Sequence, residues 1–166
     1  GTRSTWLLEH ELQLEKVALK TLNWEDEKDF ISHTFDLQRI DALISERLTQ
    51  SSHIIDTYGY CGMSTLNEYA ELGRFGHHYM EHVHNYTSMD KLVYARDISR
   101  GLADIHEIDL GMNHAASHQG ISASSSVVHH DFSPKNLLLT AHNRVKISDF
   151  NNAHLMRYDT EKKRSC

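Results

Sequence analysis

Apolar positions along the chain fall into short strand-like runs and longer stretches at helical spacing, an order that predicts a sheet followed by helices. Val17-Ala18-Leu19-Lys20 reads as a strand, Phe35 to Leu48 as a helix, and Ile54 to Cys61 and Met63 to Glu68 as further strands before the turn-rich Ala70-Glu71-Leu72-Gly73. From Met89 to His106 the residues Leu92, Ala95, Ile98, Leu102 and Ile105 recur at three- and four-residue steps, predicting a helix that buries this stripe. Glu107 to Ser126 is rich in Gly, Ser, His and Asn without periodicity, the pattern of a surface insertion. Beyond it, Leu137-Leu138-Leu139 and Val145-Lys146-Ile147 predict a hairpin around the polar turn Ala141-His142-Asn143-Arg144. Cys61, within a strand, is expected to be buried as a small hydrophobe, and Trp6 and Trp24 to pack the sheet.

The hairpin brings acidic ends to one rim. Asp131 is followed five residues later by Asn136, and Asp149 lies thirteen beyond Asn136, a spacing that lets two aspartates and an amide face a metal-bound nucleotide. His129-His130-Asp131 through Asn136, then Asp149-Phe150-Asn151, resembles the protein-kinase catalytic loop and metal motif. Val17-Ala18-Leu19-Lys20 resembles the small-lobe strand whose lysine reaches the nucleotide phosphates.

The resemblance implies an α+β, bilobal protein-kinase-like fold: a small β-sheet lobe with one helix, plus the first part of the helical large lobe. Residues 1–68 would be the small lobe, 69–73 the hinge and 74–166 the start of the large lobe, with the insertion at 107–126. In the stretch Leu66-Asn67-Glu68-Tyr69-Ala70, Asn67 would be the gatekeeper behind the adenine pocket, and Glu68, Tyr69 and Ala70 would offer backbone groups to the base. Ala18 and Leu138 would sandwich the ring, and Lys20 would hold the α and β phosphates. Asp131 would orient the substrate hydroxyl, and Asn136 and Asp149 would hold Mg²⁺ on ATP. Counting back from Leu48 lands on Asp41 as the helix acid that pairs with Lys20, in preference to Glu46.

Departures from the family pattern bear on mechanism. His130 replaces an arginine that normally pairs with a phosphorylated activation loop, so that route of control is not expected; an imidazole is cationic only near or below its ordinary pKa of about 6.5. Ser133 takes the place of a lysine that steadies the γ phosphate, and Lys135 is positioned to reach in its stead. Asn151 replaces the glycine after Asp149-Phe150; asparagine is the non-glycine residue that best tolerates positive φ, so the backbone geometry is expected to persist there. Of the glycine-rich loop only Gly1 is present, with Ser4 for the next glycine, and no Ala-Pro-Glu segment follows Asp149. The reading is of a domain incomplete at both ends, with the residues that select the hydroxyl lying after Cys166.

Two function classes stay open: ATP-dependent transfer to a protein hydroxyl in the full-length context, with the isolated 166-residue chain expected to be inactive, and a kinase-like scaffold that binds nucleotide or a partner without catalysis. Small-molecule phosphotransferases share the His-x-Asp and Asp motifs, so a non-protein substrate is also open. The net charge of −6, from 17 basic and 23 acidic residues, gives no indication of a nucleic-acid partner. Two cysteines, Cys61 and Cys166, fit a reducing, cytoplasmic setting, and no apolar run approaches the roughly 20 residues that span a bilayer. Among 14 histidines, His78 and His82 stand at a helical i, i+4 step that can bind zinc, without the glutamate placement of a zinc protease. The plainer reading is a solvated helix.

Overall fold

The computed structural model describes residues 3–9, 16–23, 32–108, 127–156, 158–159 and 164–165. Strands β1 (Arg3–Glu9) and β2 (Lys16–Leu22) precede helix α1 (Ser32–Leu48), followed by β3 (Thr57–Cys61) and β4 (Ser64–Glu68). Helix α2 (Phe75–His82), a 3-10 turn at Val83–Asn85 and helix α3 (Ser88–Glu107) come next. Six short strands complete the described residues: β5 (Val127–Val128), β6 (Leu137–Leu139), β7 (Val145–Ile147), β8 (His154–Leu155), β9 (Tyr158–Asp159) and β10 (Arg164–Ser165).

The first four strands form one antiparallel sheet in the order β1-β2-β4-β3, so β2 lies inside it, with Lys20 opposite Thr5 on one side and Thr65 on the other. Paired residues share a face, and alternate residues of a strand do too. Ala18, Lys20, Thr5 and Arg3 are thereby aligned on one face of the sheet. With helices segregated from an antiparallel sheet, the architecture is α+β.

The core lies where α1, α3 and the β6–β7 hairpin meet, through Ile44, Leu48, Ile54, Tyr94, Ile105, Leu139, Val145, Ile147 and Phe150. Ile147 is central: it bridges Ile54 in parallel fashion, and its side chain packs under Gly101 of α3. A Cβ at Gly101 would lie 2.7 Å from Ile147 Cδ1 and 3.1 Å from the carbonyl oxygen of His53, so the helix reaches the hairpin only because that position lacks a side chain. The start of α3 is fixed by a capping box, in which Thr87 accepts the Asp90 N–H and Asp90 accepts the Thr87 N–H.

The buried face of α3 differs from the expected stripe. Tyr94, Asp97, Gly101 and Ile105 are inside, whereas Leu92 is 63% exposed and Ala95 faces solvent. Polar partners explain the difference. Arg144 grips the fully buried Asp97 with Nε at 2.6 Å and Nη2 at 2.8 Å, and Tyr94 donates its hydroxyl to Asn143 Oδ1 at 2.6 Å. Burial pushes the Tyr94 phenol up to about 12, so it remains a donor. Both contacts land on the β6–β7 turn, where Asn143 adopts a left-handed φ of 56°. An acid and a glycine thus occupy positions where a pattern of apolar residues was sought.

Three smaller expectations are corrected. Cys61 is exposed, because β3 lies at the sheet edge. Trp6 is 59% exposed and tethered through its indole N–H to Thr21 Oγ1, so it does not pack under the sheet. Ile54 precedes β3 and is buried against Ile147 instead of pairing in the sheet. Gly1, Trp24 and Cys166 lie outside the described residues, as do residues 109–126 of the expected insertion; Glu107 ends α3 and Ile108 is buried.

Candidate active site

A cleft of about 510 Å³ opens between the sheet and the β6–β7 hairpin. Ala18 and Lys20 of β2, residues Asn67 to Ala70 at the end of β4, Leu138 of β6, and Lys135, Asn136 and Asp149 from the two flanking loops all line it. Asp131 is not among the lining residues; it stands beside Lys135 and Asn136 at the edge. Asp41 lies deeper, sharing a small recess with Lys20, Asp149 and Phe150.

The loop carrying Asp131 is held from beneath by His129. This imidazole is buried, donates Nε2–H to the Ser148 carbonyl at 3.2 Å, and packs against Phe150 with ring centroids 5.1 Å apart. His130 then takes a left-handed φ of 62°, which turns the chain so that the Asp131 N–H reaches back to the His129 carbonyl at 2.8 Å. Asn136 donates its amide nitrogen to the Asp131 carbonyl at 2.9 Å and to Asp131 Oδ2 at 3.2 Å, leaving its amide oxygen out of that contact. Lys135 Nζ lies 2.9 Å from Asp131 Oδ2. Hydrogen bonding from Lys135, with help from Asn136, outweighs desolvation and holds the Asp131 carboxyl below the usual range. Asp131 is therefore a carboxylate at neutral pH.

Ser148 joins this loop to the metal-motif segment, donating both its N–H (2.9 Å) and its hydroxyl (3.1 Å) to the Asn136 carbonyl. Next to it, Asp149 adopts φ 69°, and its Oδ1 is buried without a hydrogen-bond donor. The left-handed residue is therefore Asp149, not Asn151, which corrects the expectation for the glycine-replacing asparagine. Aspartate tolerates this region because its short side chain can interact locally, so the motif does not require it at Asn151.

Around the far end of the cleft, buried Asn67 accepts from Thr57 Oγ1 at 2.9 Å and donates to Thr65 Oγ1 at 3.0 Å. The Glu68 N–H donates to the Asp56 carbonyl at 2.8 Å, so that donor is already engaged. Its carboxylate accepts Lys146 Nζ at 2.7 Å and the Asp56 N–H at 3.1 Å. Lys146 was not singled out from sequence, although strand alternation sets it on the face opposite Val145 and Ile147 and in register with Leu138.

The most consequential residue missed is Arg3. Its Nη1 lies 2.8 Å from Asp41 Oδ2 and 3.7 Å from Asp149 Oδ1, while Lys20 makes no ion pair among the described residues. The other Asp41 oxygen accepts the Phe150 N–H at 2.8 Å. Asp41 is thus a buried acid, but its cation is Arg3 of β1. The register of β1 against β2 was the missing signal, since it sets Arg3 on the face that carries Lys20.

The histidine pattern forms no metal centre among the described residues. His78 and His82 stack on each other at 4.4 Å, and His82 Nδ1–H points to the His78 carbonyl at 3.0 Å.

The sequence model of the family described as protein tyrosine and serine/threonine kinase matches residues 2–166. The chain belongs to this kinase family. Serine/threonine-protein kinases drp72 of Corynebacterium efficiens is 28% identical to this kinase-family chain over 152 residues, which is 90% of the chain and 26% of that protein. The chain spans about a quarter of that relative's length. Kinases generally use ATP with Mg²⁺; in this cleft Asp149 carries a buried carboxylate oxygen without a hydrogen-bond donor, and the Asn136 amide nitrogen is turned to Asp131. No helix among the described residues is long and apolar enough to cross a membrane.

Proposed function

We propose that this kinase domain transfers the γ-phosphoryl group of ATP to a protein hydroxyl. The observation that carries the reading is the orphaned Asp149 Oδ1, a buried acceptor lining a cleft that also receives Lys20 and Asn136. This oxygen makes no hydrogen bond, and Arg3 Nη1 at 3.7 Å is beyond hydrogen-bond reach, so a directly bound cation would stabilise it. In this reading Asp149 and Asn136 would hold Mg²⁺, which when bound would supply positive charge to the phosphates. Lys20 holds the phosphates. Ala18 and Leu138 enclose the base, Asn67 closes the pocket behind it, and backbone groups of Glu68 to Ala70 face its edge.

Asp131 orients the substrate hydroxyl, for which its ionised state is suited, and Lys135 and Asn136 keep its carboxylate aimed. Lys135 is mostly exposed, so in this reading it would have room to turn from Asp131 to an incoming phosphate. The test is transfer of labelled phosphate from ATP to mixed Ser-, Thr- and Tyr-containing peptides. In the full-length protein peptide labelling is expected, and Asp131→Asn and Asp149→Asn are expected to lower it at least a hundredfold. Equal labelling by the Asp149→Asn variant overturns the assignment.

A scaffold without transfer is favoured by one observation, the lack of an ion pair between Lys20 and Asp41. In the same assay that reading gives nucleotide binding with no labelled peptide.

A further inference from the structure

Arg3 is held in an unusual electrostatic position. Its side chain is only 11% exposed and lines the cleft with Thr5 and Lys20, yet of the three guanidinium nitrogens just Nη1 has a hydrogen-bond partner, Asp41. Nε and Nη2 are buried with none. An arginine serving only to tie β1 to α1 would be expected to present two nitrogens of one edge to the carboxylate, as Arg144 does toward Asp97. Donors left unmade in a buried site cost free energy, and the nearest second acid, Asp149, is 3.7 Å away, too far for a hydrogen bond. Arg3 lines the same cleft as Lys20, which makes no ion pair among the described residues.

We propose that Arg3 is a phosphate-binding residue of the cleft, and that its bond to Asp41 couples nucleotide binding to the seating of α1 on the Asp149-Phe150 segment. This deepens the nucleotide reading above and rests on it. The planar fork matches two phosphate oxygens, and the orphaned Nε and Nη2 form such an edge. Asp41 has one oxygen on Arg3 and the other on the Phe150 N–H, so a phosphate that orders the guanidinium also orders the carboxylate beneath it. The strand lysine and the strand-one arginine divide the work: Lys20 supplies charge to the phosphates, and Arg3 supplies charge together with the link to the helix.

The test compares the affinities of ATP and adenosine, measured by calorimetry without divalent metal, for the wild-type chain, Arg3→Gln and Arg3→Lys. Glutamine keeps a donor for Asp41 and lysine keeps the charge, and a circular-dichroism melt of each variant reports folding. For Arg3→Gln, ATP affinity is expected to fall at least tenfold while adenosine affinity stays within twofold. Arg3→Lys is expected to recover only part of the ATP loss, because an ammonium lacks the fork. An arginine that merely supports the fold would weaken ATP and adenosine alike, and an unchanged ATP-to-adenosine ratio in both variants overturns the proposal. Wild-type chain that binds neither ligand defeats the nucleotide reading itself, a result separate from the behaviour of the variants.

Discussion

The carboxylate of Asp41 accepts the backbone N–H of Phe150 at 2.8 Å, joining residues 109 positions apart in the chain. Because the other oxygen of Asp41 holds Arg3, one buried acid on α1 connects the first strand of the sheet to the residue that follows Asp149. The position of the helix and the left-handed backbone of the metal motif are therefore mechanically linked.

Removing that link has graded consequences. Asp41→Ala leaves a buried N–H and a buried guanidinium without their acceptor and is expected to cost about 3 kcal/mol. Asp41→Asn retains an acceptor for Phe150 and is expected to cost less than half as much. Urea denaturation of the two variants beside the wild type gives the comparison, and equal losses would show that the Phe150 contact contributes nothing.

The Arg144 clamp on Asp97 makes stability depend on pH in a defined direction. Burial alone would raise the Asp97 carboxyl, but hydrogen bonds and charge from Arg144 and Arg96 outweigh it and hold the folded-state pKa below the ordinary value. A depressed folded-state pKa means the contribution is fully present above the unfolded value of about 3.9 and is lost as pH falls through the folded value. The wild type should lose more stability between neutral pH and the acid range than Asp97→Asn, as read from urea midpoints across that range. Parallel acid limbs in the two proteins would rule the clamp out as a source of pH dependence.

Gly101 and Ile147 form a testable pair at the helix–hairpin contact. Gly101→Ala sets a methyl 2.7 Å from Ile147 Cδ1, and the overpacking is expected to cost about 1–3 kcal/mol. Ile147→Val removes the clashing atom, so the double variant should be more stable than the sum of the two single losses. Simple additivity in thermal or urea unfolding would place the strain elsewhere, against His53.

Much of this arrangement was legible in the sequence because it rests on local pattern. The β6–β7 hairpin, α1, α3 and the Lys20 strand each carry a periodicity or turn chemistry set by neighbouring residues, and the Asp131, Asn136 and Asp149 spacing follows from that hairpin. What escaped depends on register between distant segments. Arg3 reaches Asp41 only through the pairing of β1 with β2, and Lys146 of β7 meets Glu68 of β4, 78 positions earlier in the chain. The buried face of α3 was misread for a related reason: Asp97 is tolerated inside because Arg144, 47 residues later, neutralises it. The left-handed residue of the metal motif was likewise assigned to Asn151 by residue preference, while the Asp41 contact with the Phe150 N–H accompanies that conformation at Asp149.

The central claim, that Asp149 and Asn136 form a metal-dependent nucleotide site with Lys20, is tested most directly by thermal shift with ATP in the presence and absence of Mg²⁺, for wild type and Asp149→Asn. A ligand at a hundred times its dissociation constant adds about 2.7 kcal/mol of stability. The expected result is a rise in melting temperature with ATP that grows on adding Mg²⁺, with the metal-dependent increment lost in Asp149→Asn. A wild type that melts at the same temperature with and without ATP and Mg²⁺ would contradict the account.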